Sequence, residues 1–545
     1  MSAPNLSTAQ ARVMVEALAQ LGARHAVVCP GSRSTAMALA LDAHGDVGVS
    51  VAIDERSGGF LALGIARVTG VPTPVVTTSG TAVVNLHPAV VEADADGVPL
   101  LAVTCDRPAR LRGTGANQVI SQADVFGRAV RAALDVPVLP DAATSVGDWV
   151  EMVRAGWAAA LGAAGGRPGP VQLNLQFDEP TVPETDDGRT VGAPFRHPTD
   201  ISISQPVAAG PPDDAPIDAL LAAAATGRGL LAIGQGVRAD PAVVQATAER
   251  LGWPVVADPL SGCRAMPATV ERASLVAAAG TLTPDAVIRV GRTVLSRPLE
   301  RLLAAAGQHV VVDPWGRALD PTGSVTATQT ADPNRVLAQL PPNPNPDPSW
   351  AAAWRSAAAR VEQAGPPPDQ DGPLVARHVA AAMPTGSTLV IGSSSPIRDL
   401  DDWANIPASV RVVGNRGASG IDGFVSTAIG VALVAAGPTV ALCGDLSFLH
   451  DRNGLLIDAA EPVRLTFVVI DNGGGQLFRR LPQARQPNFE RLFVTPHGLD
   501  LGDVARTHRL ELVDVRSPGA IPAALATEPD GIRLVLLRTR SDRPA

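Results

Sequence analysis

The sequence lacks the features that mark several broad classes of protein. It contains no tyrosine and no lysine, and only 18% of its 545 residues are charged. The net charge is −9, and the 44 basic residues, all arginines, form no long tract. This distribution argues against a nucleic-acid-binding or membrane-surface protein. Small anionic ligands would therefore have to be bound by locally placed arginines.

Paired cysteines are absent as well, and the opening segment is not typical of a leader. The four cysteines occur singly, with no CxxC pair, so the sequence indicates neither a zinc site nor redox chemistry. We expect Cys29, Cys105, Cys263 and Cys443 to be reduced core residues. The opening segment MSAPNLSTAQ has no basic stretch followed by an apolar one. We therefore expect no signal peptide and a cytoplasmic location.

Long apolar runs are also missing. The most apolar stretch, residues 425–442, is interrupted by Gly430, Gly437 and Pro438, which predicts a buried helix followed by a strand and no membrane insertion. No Gly-x-Ser-x-Gly elbow is present, and the nine histidines form no ligand motif, which disfavours acyl-enzyme chemistry. We expect the histidines at positions 87, 450 and 497 to be structural.

What the chain does contain is a repeated alternation of β-rich runs and helix-length segments. The runs are HAVVCPG, VGVSVAIDE, TPVVTTSGT, PLLAVTCDRP and PVQLNLQ, then GLLAIGQG, WPVVADP, AVIRVGR and HVVVDP, and finally TLVIGSS, VRVVGNRG, TVALCGD, LTFVVIDN and IRLVLLR. Such alternation predicts an α/β fold of doubly wound parallel sheets, and the length predicts several domains. Proline-rich stretches at residues 193–216 and 341–350, with a shorter one at Pro366, are plausible linkers. We predict three domains, at residues 1–185, 200–345 and 370–545.

The strongest local signal lies in the third predicted domain. The apolar run TVALC ends at Gly444 and Asp445, and the next run, LTFVVI, ends in Asp471, Asn472 and three glycines. The carboxyl ends of parallel strands share one edge of a sheet, where ligands bind. Carboxylate, amide and main-chain oxygens suit Mg²⁺, and glycines let N–H groups approach phosphates. Two strand-end loops that cap helices remain the alternative interpretation.

A second signal lies in the first predicted domain, where the run VGVSVAI ends in Asp54, Glu55 and Arg56. A glutamate in this place is ordinarily solvated or part of a helix N-terminus. Six segments taken together nevertheless resemble the 2-succinyl-5-enolpyruvyl-6-hydroxy-3-cyclohexene-1-carboxylate (SEPHCHC) synthase family of thiamine-diphosphate enzymes. They are residues 29–34, 54–56, 78–82, 106–108, 415–423 and 444–451. The resemblance is weakest in the central domain, and Leu446 and Asp471 depart from the superfamily's usual metal motif.

The resemblance implies thiamine diphosphate with Mg²⁺, or Mn²⁺ as a substitute. Glu55 would exchange a proton with the cofactor's pyrimidine ring. The metal would be held by Asp445, Asn472 and the carbonyl of Gly474, and Ile421 would shape the cofactor. The remaining residues implied to bind the cofactor are Ser79, Gly444, Leu446, Ser447, Gly475, Leu477 and Phe478.

The implied reaction condenses 2-oxoglutarate with isochorismate and releases CO₂. Planar arginines suit such carboxylates. Those implied to act in catalysis, beside Glu55, are Arg33, Arg398 and Arg416. Ser394, Arg398 and Arg416 would face the 2-oxoglutarate-derived group, with Arg297 as a central-domain contact. The residues implied to contact isochorismate are Ser32, Arg33, Arg107, Asn117 and Gln118.

The superfamily forms its sites between subunits, so the resemblance implies a homodimer or homotetramer. Another thiamine-diphosphate enzyme, such as an acetolactate synthase or a 2-oxoacid decarboxylase, is the nearest alternative. A catalytically silent scaffold is a second, although Glu55, Asp445 and Asn472 are all present. The Gly-Gln-Gly at Gly234 is only a weak sign of a nucleotide site.

Overall fold

The structure is a computed structural model that describes residues 5–139, 142–182, 215–457 and 461–539. Within this part of the chain are three sheets, each with all of its strands parallel. The predicted linker at 193–216 lies outside the described residues up to position 214. None of the described helices has both the length and the apolar character needed to cross a membrane.

The first sheet has six strands in the order β2-β1-β3-β4-β6-β5. Its strands are β1 (His25–Val28), β2 (Gly48–Val51), β3 (Thr73–Thr77), β4 (Leu100–Asp106), β5 (Ala133–Val136) and β6 (Val171–Gln176). The helices of this region are α1 (Leu6–Leu21), α2 (Thr35–His44), α3 (Glu55–Thr69), α4 (Thr81–Asn85), α5 (His87–Asp96) and α6 (Ala142–Ala160). The strand order reverses between β1 and β3, and in open parallel sheets ligands bind in the crevice at the carboxyl ends of such a pair of strands.

The second sheet has five strands in the order β11-β10-β9-β7-β8. Its strands are β7 (Gly229–Ile233), β8 (Val255–Ala257), β9 (Ala286–Val290), β10 (Gln308–Val312) and β11 (Ala327–Gln329). Its helices are α7 (Asp218–Ala224), α8 (Pro241–Leu251), α9 (Ala273–Ala278), α10 (Arg297–Ala304), α11 (Pro333–Ala338) and α12 (Pro348–Ala364). Helix α12 begins within the proline-rich segment, and its Trp350 and Trp354 pack in the core of this sheet.

The third sheet has six strands in the order β13-β12-β14-β15-β17-β16, the same winding as the first. Its strands are β12 (Thr388–Ile391), β13 (Arg411–Val413), β14 (Thr439–Gly444), β15 (Leu465–Asp471), β16 (Glu511–Val515) and β17 (Ile532–Arg538). The helices of this region are α13 (Asp371–Ala382), α14 (Ser395–Trp403), α15 (Phe424–Val434), α16 (Asp445–His450), α17 (Leu501–Thr507) and α18 (Ile521–Leu525). The apolar stretch at 425–442 is a buried helix followed by a strand, as predicted.

Close packing divides the chain into two compact units. Unit 1 holds the first sheet together with residues 415–435 and 447–463, and unit 2 holds the second and third sheets. In unit 1, α15 packs against α3, and the Thr427 hydroxyl donates to the carbonyl of Phe60. All four cysteines are buried and free, as predicted, and burial raises the pKa of the Cys263 thiol to about 12.

Candidate active site

The first group of predicted residues lies in unit 1, at the switch between β1 and β3. Ser32 and Arg33 follow β1, and Ser79 follows β3. Arg33 is buried; its Nη1 donates to the carbonyl of Phe177 over 3.0 Å, and its Nη2 forms a 2.8 Å ion pair with Glu179. Glu179 is largely exposed, so an anionic ligand could replace it as the partner of this guanidinium.

Arg107, which follows β4, joins this group. Its Nη1 donates to Ser79 Oγ over 2.6 Å and to the carbonyl of Gln118 over 2.9 Å. The Gln118 amide in turn donates to the carbonyl of Ser79 over 2.8 Å. Burial, and then the nearby charge of Arg33, lower the pKa of Arg107. Two guanidiniums that repel each other at the end of a sheet form a favourable place for a carboxylate.

Ser32 and Asn117 are also placed at this edge, but with exposed side chains. The structure thus brings Arg33, Ser79, Arg107 and Gln118 into direct or electrostatic contact. Among the described residues, the side chains of Ser32 and Asn117 form no hydrogen bond or ion pair with those four.

Glu55 is the first residue of α3, immediately after β2. Asp54 caps the helix by accepting from the N–H of Arg56 over 2.9 Å. The Glu55 carboxylate is half-buried and accepts from Asn85 Nδ2 over 3.3 Å. Its charge also helps to raise the pKa of Cys29, after the larger effect of burial, so Glu55 lies near the end of β1. Glu55 is held in this position because it begins α3. Its half-buried carboxylate oxygens are partly accessible to a ligand.

Arg416 and Ile421 lie on the loop between β13 and α15, which belongs to unit 1. Both residues are half-buried. The neighbouring Asn415 is buried, and its Nδ2 donates to Thr427 Oγ1 over 2.9 Å. The loop is therefore tied to α15 directly beside Arg416.

The predicted metal ligands all belong to unit 2 and lie at the carboxyl ends of β14 and β15. Asp445 Oδ1 accepts from the N–H of Leu446 over 2.6 Å, and Oδ2 accepts from the N–H of Gly474 over 2.8 Å. Gly474 has φ +131°, a conformation that favours glycine. The buried Oδ1 of Asn472 has no hydrogen-bond partner among the described residues. An orphaned buried oxygen beside a buried carboxylate fits a hard divalent cation.

His497 is part of this cluster, which the sequence did not indicate. Its Nδ1 accepts from the N–H of Leu499 over 3.1 Å, so in the neutral ring Nε2 carries the proton and faces Asp445 Oδ2 at 3.3 Å. Asp471 Oδ1 lies 3.8 Å from the same nitrogen. Ligand atoms of these three residues lie within 4.8 Å of one another. Burial raises the pKa of Asp445, and a bound cation would favour its charged form.

The other residues predicted to bind the cofactor surround this cluster in the chain. Gly444 ends β14, and Leu446 and Ser447 lie in the first turn of α16. The N–H of Gly475 donates to the carbonyl of Val494 over 2.7 Å. Leu477 and Phe478 lie on the following 3₁₀ turn, with the Phe478 ring centroid 6.0 Å from that of Phe493.

A third group, also in unit 2, consists of Ser394, Arg398 and Arg297. Ser394 is the residue at the N-cap position of α14, with φ +75°, and Arg398 Nη1 donates to its carbonyl. Burial, and then the charge of Arg297, lower the pKa of Arg398. The structure thus places Arg297 within electrostatic range of Arg398. Some of the predicted site residues belong to unit 1 and the others to unit 2. Each unit contains a pair of arginines whose like charges favour the binding of an anion.

Three family models match this chain and show its class of protein. The models for "Thiamine pyrophosphate enzyme, N-terminal TPP binding domain", "Middle domain of thiamine pyrophosphate" and "Thiamine pyrophosphate enzyme, C-terminal TPP binding domain" match residues 9–125, 212–387 and 408–537. The chain is therefore built as a thiamine-pyrophosphate (thiamine-diphosphate) enzyme of three α/β domains.

Full-length relatives narrow the class to a family. A 2-succinyl-5-enolpyruvyl-6-hydroxy-3-cyclohexene-1-carboxylate synthase of Thermobifida fusca is 43% identical, over 99% of this chain and 97% of the relative. Proteins of the same name from Saccharopolyspora erythraea and Halobacterium salinarum are 39% and 38% identical, over 99% and 96% of this chain and 96% and 94% of those relatives. The chain belongs to the SEPHCHC synthase family.

Proposed function

We propose that this protein is the SEPHCHC synthase of menaquinone biosynthesis. It decarboxylates 2-oxoglutarate and adds the resulting carbanion equivalent to isochorismate by 1,4-addition, with release of CO₂. The observation that carries this proposal is the full-length similarity to relatives of that name. The two groups of arginines support it, because both substrates are carboxylates.

Thiamine diphosphate is the cofactor of this class, and when bound it supplies the carbanion equivalent. Glu55 holds and exchanges a proton at the pyrimidine ring. The residues that bind and orient the cofactor are Ser79, Ile421, Gly444, Leu446, Ser447, Gly475, Leu477 and Phe478. Support comes from their positions at strand ends and in glycine turns, where main-chain N–H groups can approach a diphosphate.

Magnesium, for which manganese can substitute, is held by Asp445, by Asn472 and by the carbonyl of Gly474. The unpartnered Oδ1 of Asn472 among the described residues, and the buried carboxylate beside it, support this set. When bound, the metal would help these residues to hold the cofactor's diphosphate.

The arginines bind and orient the substrates. Arg33 and Arg107, with Ser32, Asn117 and Gln118, receive isochorismate. Arg398 and Arg416, with Ser394 and Arg297, receive the 2-oxoglutarate-derived group. Mutual repulsion between Arg33 and Arg107, and between Arg297 and Arg398, supports both assignments, because a bound carboxylate relieves it.

The active unit is a homodimer or homotetramer, with Glu55 and Asp445 of one site supplied by different chains. Exposed apolar side chains next to the Glu55–Asn85 contact support an interface there: Ile53 is 68% exposed and Val84 42%. We assign residues 1–185 to a pyrimidine-binding domain, 200–345 to a central domain and 370–545 to a diphosphate-binding domain. The proposed location is the cytoplasm.

Substrate consumption tests the function. Purified protein is mixed with both substrates, with and without thiamine diphosphate and Mg²⁺, and isochorismate loss is followed. We expect cofactor-dependent loss that Glu55→Gln lowers by about a hundredfold or more, while Glu151→Gln, an exposed glutamate of α6, leaves it unchanged. Consumption of pyruvate in preference to 2-oxoglutarate would favour an acetolactate-type enzyme. Cofactor binding without any turnover would favour a silent scaffold.

A further inference from the structure

Glu92 lies outside every group of residues described above, yet it contacts the loop that carries Arg416. It belongs to α5 and is only 3% exposed. Its Oε1 accepts from the N–H of Gly417 over 2.7 Å, and its Oε2 accepts from the N–H of Ala418 over 2.6 Å. Both carboxylate oxygens are therefore directed at consecutive amides of one loop, and all of these residues lie in unit 1.

A cationic side chain of α3 balances the charge of Glu92. Arg67 is nearly buried and pairs with Glu92 at 3.3 Å as well as with Asp96. Burial of an ion pair costs desolvation free energy, and the attraction between the two charges often does not offset it. Burial indeed raises the pKa of Glu92 in spite of Arg67. The two main-chain contacts to the loop offset part of this cost, since hydrogen bonds to a charged acceptor are strong.

The loop leaves little room for another arrangement. A Cβ at Gly417 would lie 2.6 Å from the carbonyl oxygen of Glu92 and 3.0 Å from its Oε1, so only glycine fits against α5 at this point. On the other side of Arg416, the buried Asn415 is tied to Thr427 of α15. Arg416 is thus held between two anchored neighbours, one bound to α15 and the other to α5.

We propose that Glu92, charged and paired with Arg67, is a positioning residue that fixes the backbone at Arg416 and so aims its guanidinium at the 2-oxoglutarate-derived group. The inference rests on the proposed function for the role of Arg416. The contact between Glu92 and the loop is independent of that role. A planar guanidinium binds a carboxylate well only in a narrow range of orientations, so a small shift of this backbone weakens binding.

Hydrogen–deuterium exchange tests the contact without any assay of activity. Glu92→Gln keeps the shape of the side chain but has one acceptor oxygen where two amides donate. We expect faster exchange in peptides that contain Gly417 and Ala418, and no change there with Glu249→Gln on α8. Unchanged exchange at the loop in Glu92→Gln would overturn the inference.

Steady-state kinetics test whether Glu92 acts through Arg416. We expect Glu92→Gln to lower kcat/KM for 2-oxoglutarate by about ten- to a hundredfold, while KM for isochorismate changes by less than about twofold. Because Glu92 acts only through Arg416, adding Glu92→Gln to Arg416→Gln has almost no further effect. Equal losses for both substrates, or fully additive losses in the double variant, would show a merely structural residue and overturn the proposal.

Three further outcomes bear on this inference, and the last of them separates it from the proposed function. If Glu92→Gln does not fold, Glu92→Asp keeps the charge beside Arg67 but withdraws the oxygens from the loop, and the same kinetic pattern is expected. If Arg416→Gln leaves KM for 2-oxoglutarate unchanged, the inference falls together with the assignment of Arg416. If the wild type consumes no 2-oxoglutarate, the proposed function fails, and faster exchange in Glu92→Gln still supports the contact.

Discussion

At the level of single residues, Asp445 and Asn472 each follow a strand and supply oxygen atoms at neighbouring strand ends. Asp445 and Asn472 were predicted to meet because their strands are consecutive in the chain, and the structure places both beside Gly474. His497 and Glu92 could not be predicted in the same way. Each reaches its partner only through the folded chain, Asp445 for His497 and Gly417 for Glu92, and nothing local marks either residue.

The orphaned oxygen of Asn472 leads to a prediction on metal binding. Asn472→Ala removes a hard oxygen donor, so we expect the affinity for Mn²⁺ to fall by about tenfold or more. Titration followed by electron paramagnetic resonance measures it directly. Asn345→Ala, an exposed asparagine of the second sheet's region, serves as the control. Unchanged Mn²⁺ affinity in Asn472→Ala would remove this residue from the ligand set.

Asp399 on α14 leads to a prediction on pH. Burial raises its pKa to about 7, against the charges of Arg480 and Arg398, whereas an unfolded aspartate has a pKa of about 4. Between about pH 4 and pH 7, the folded protein therefore binds one proton more than the unfolded chain does. This contribution to stability is complete below about pH 4 and is lost as the pH rises through about 7. We expect the Tm of Asp399→Asn, relative to wild type, to be higher at pH 8 than at pH 5. A difference independent of pH would contradict the raised pKa.

At the level of elements, the β-rich runs of the sequence predicted the central strands of all three sheets. The strands that the sequence did not reveal are β5, β11 and β16, and each lies at the edge of its sheet. Their side chains are mostly exposed or half-buried, whereas β4 and β9 are buried throughout. A half-solvated edge strand needs no continuous apolar run, so its sequence carries little signal.

Helix α14 depends on a buried contact that the sequence also did not reveal. Arg264 pairs with the Asp401 carboxylate at 2.8 Å and donates to the Asp401 carbonyl over 2.8 Å, near the C-terminus of the helix. Ser274 donates to the same carboxylate over 2.6 Å. Arg264 therefore satisfies a late carbonyl of α14 and neutralises a buried charge.

Removal of this arginine has a predictable cost. Arg264→Met leaves Asp401 buried without its cation, so we expect a loss of about 3 to 5 kcal/mol, seen as a lower midpoint of urea unfolding. Adding Asp401→Asn should restore part of it. Arg228→Met, which breaks an exposed pair with Asp285, should cost about 1 kcal/mol or less. Equal effects of Arg264→Met and Arg228→Met would show that the buried pair does not hold α14.

At the level of the whole molecule, three α/β domains could be predicted because apolar runs recur with helix-length spacing. The division into two compact units could not, because residues 415–435 and 447–463 join the first sheet from far along the chain. Packing of α15 on α3 produces this exchange, and sequence periodicity does not specify which helix a given helix contacts.

Subunit hybrids test whether one site uses two chains. Glu55→Gln and Asp445→Asn are each expected to be nearly inactive. In a dimer that pairs the two variants, one site carries both substitutions and the other carries neither. Refolding an equal mixture should therefore restore about a quarter of wild-type activity. No recovery, with hybrids demonstrated by mass spectrometry, would place both residues of a site on one chain.

The most direct test of the proposed reaction is its stoichiometry. Isochorismate loss and CO₂ release are followed together in one reaction with 2-oxoglutarate, thiamine diphosphate and Mg²⁺. We expect one CO₂ for each isochorismate consumed, and neither change when the cofactor is omitted. CO₂ release without loss of isochorismate would contradict it, because the protein would then be a decarboxylase with another acceptor or none.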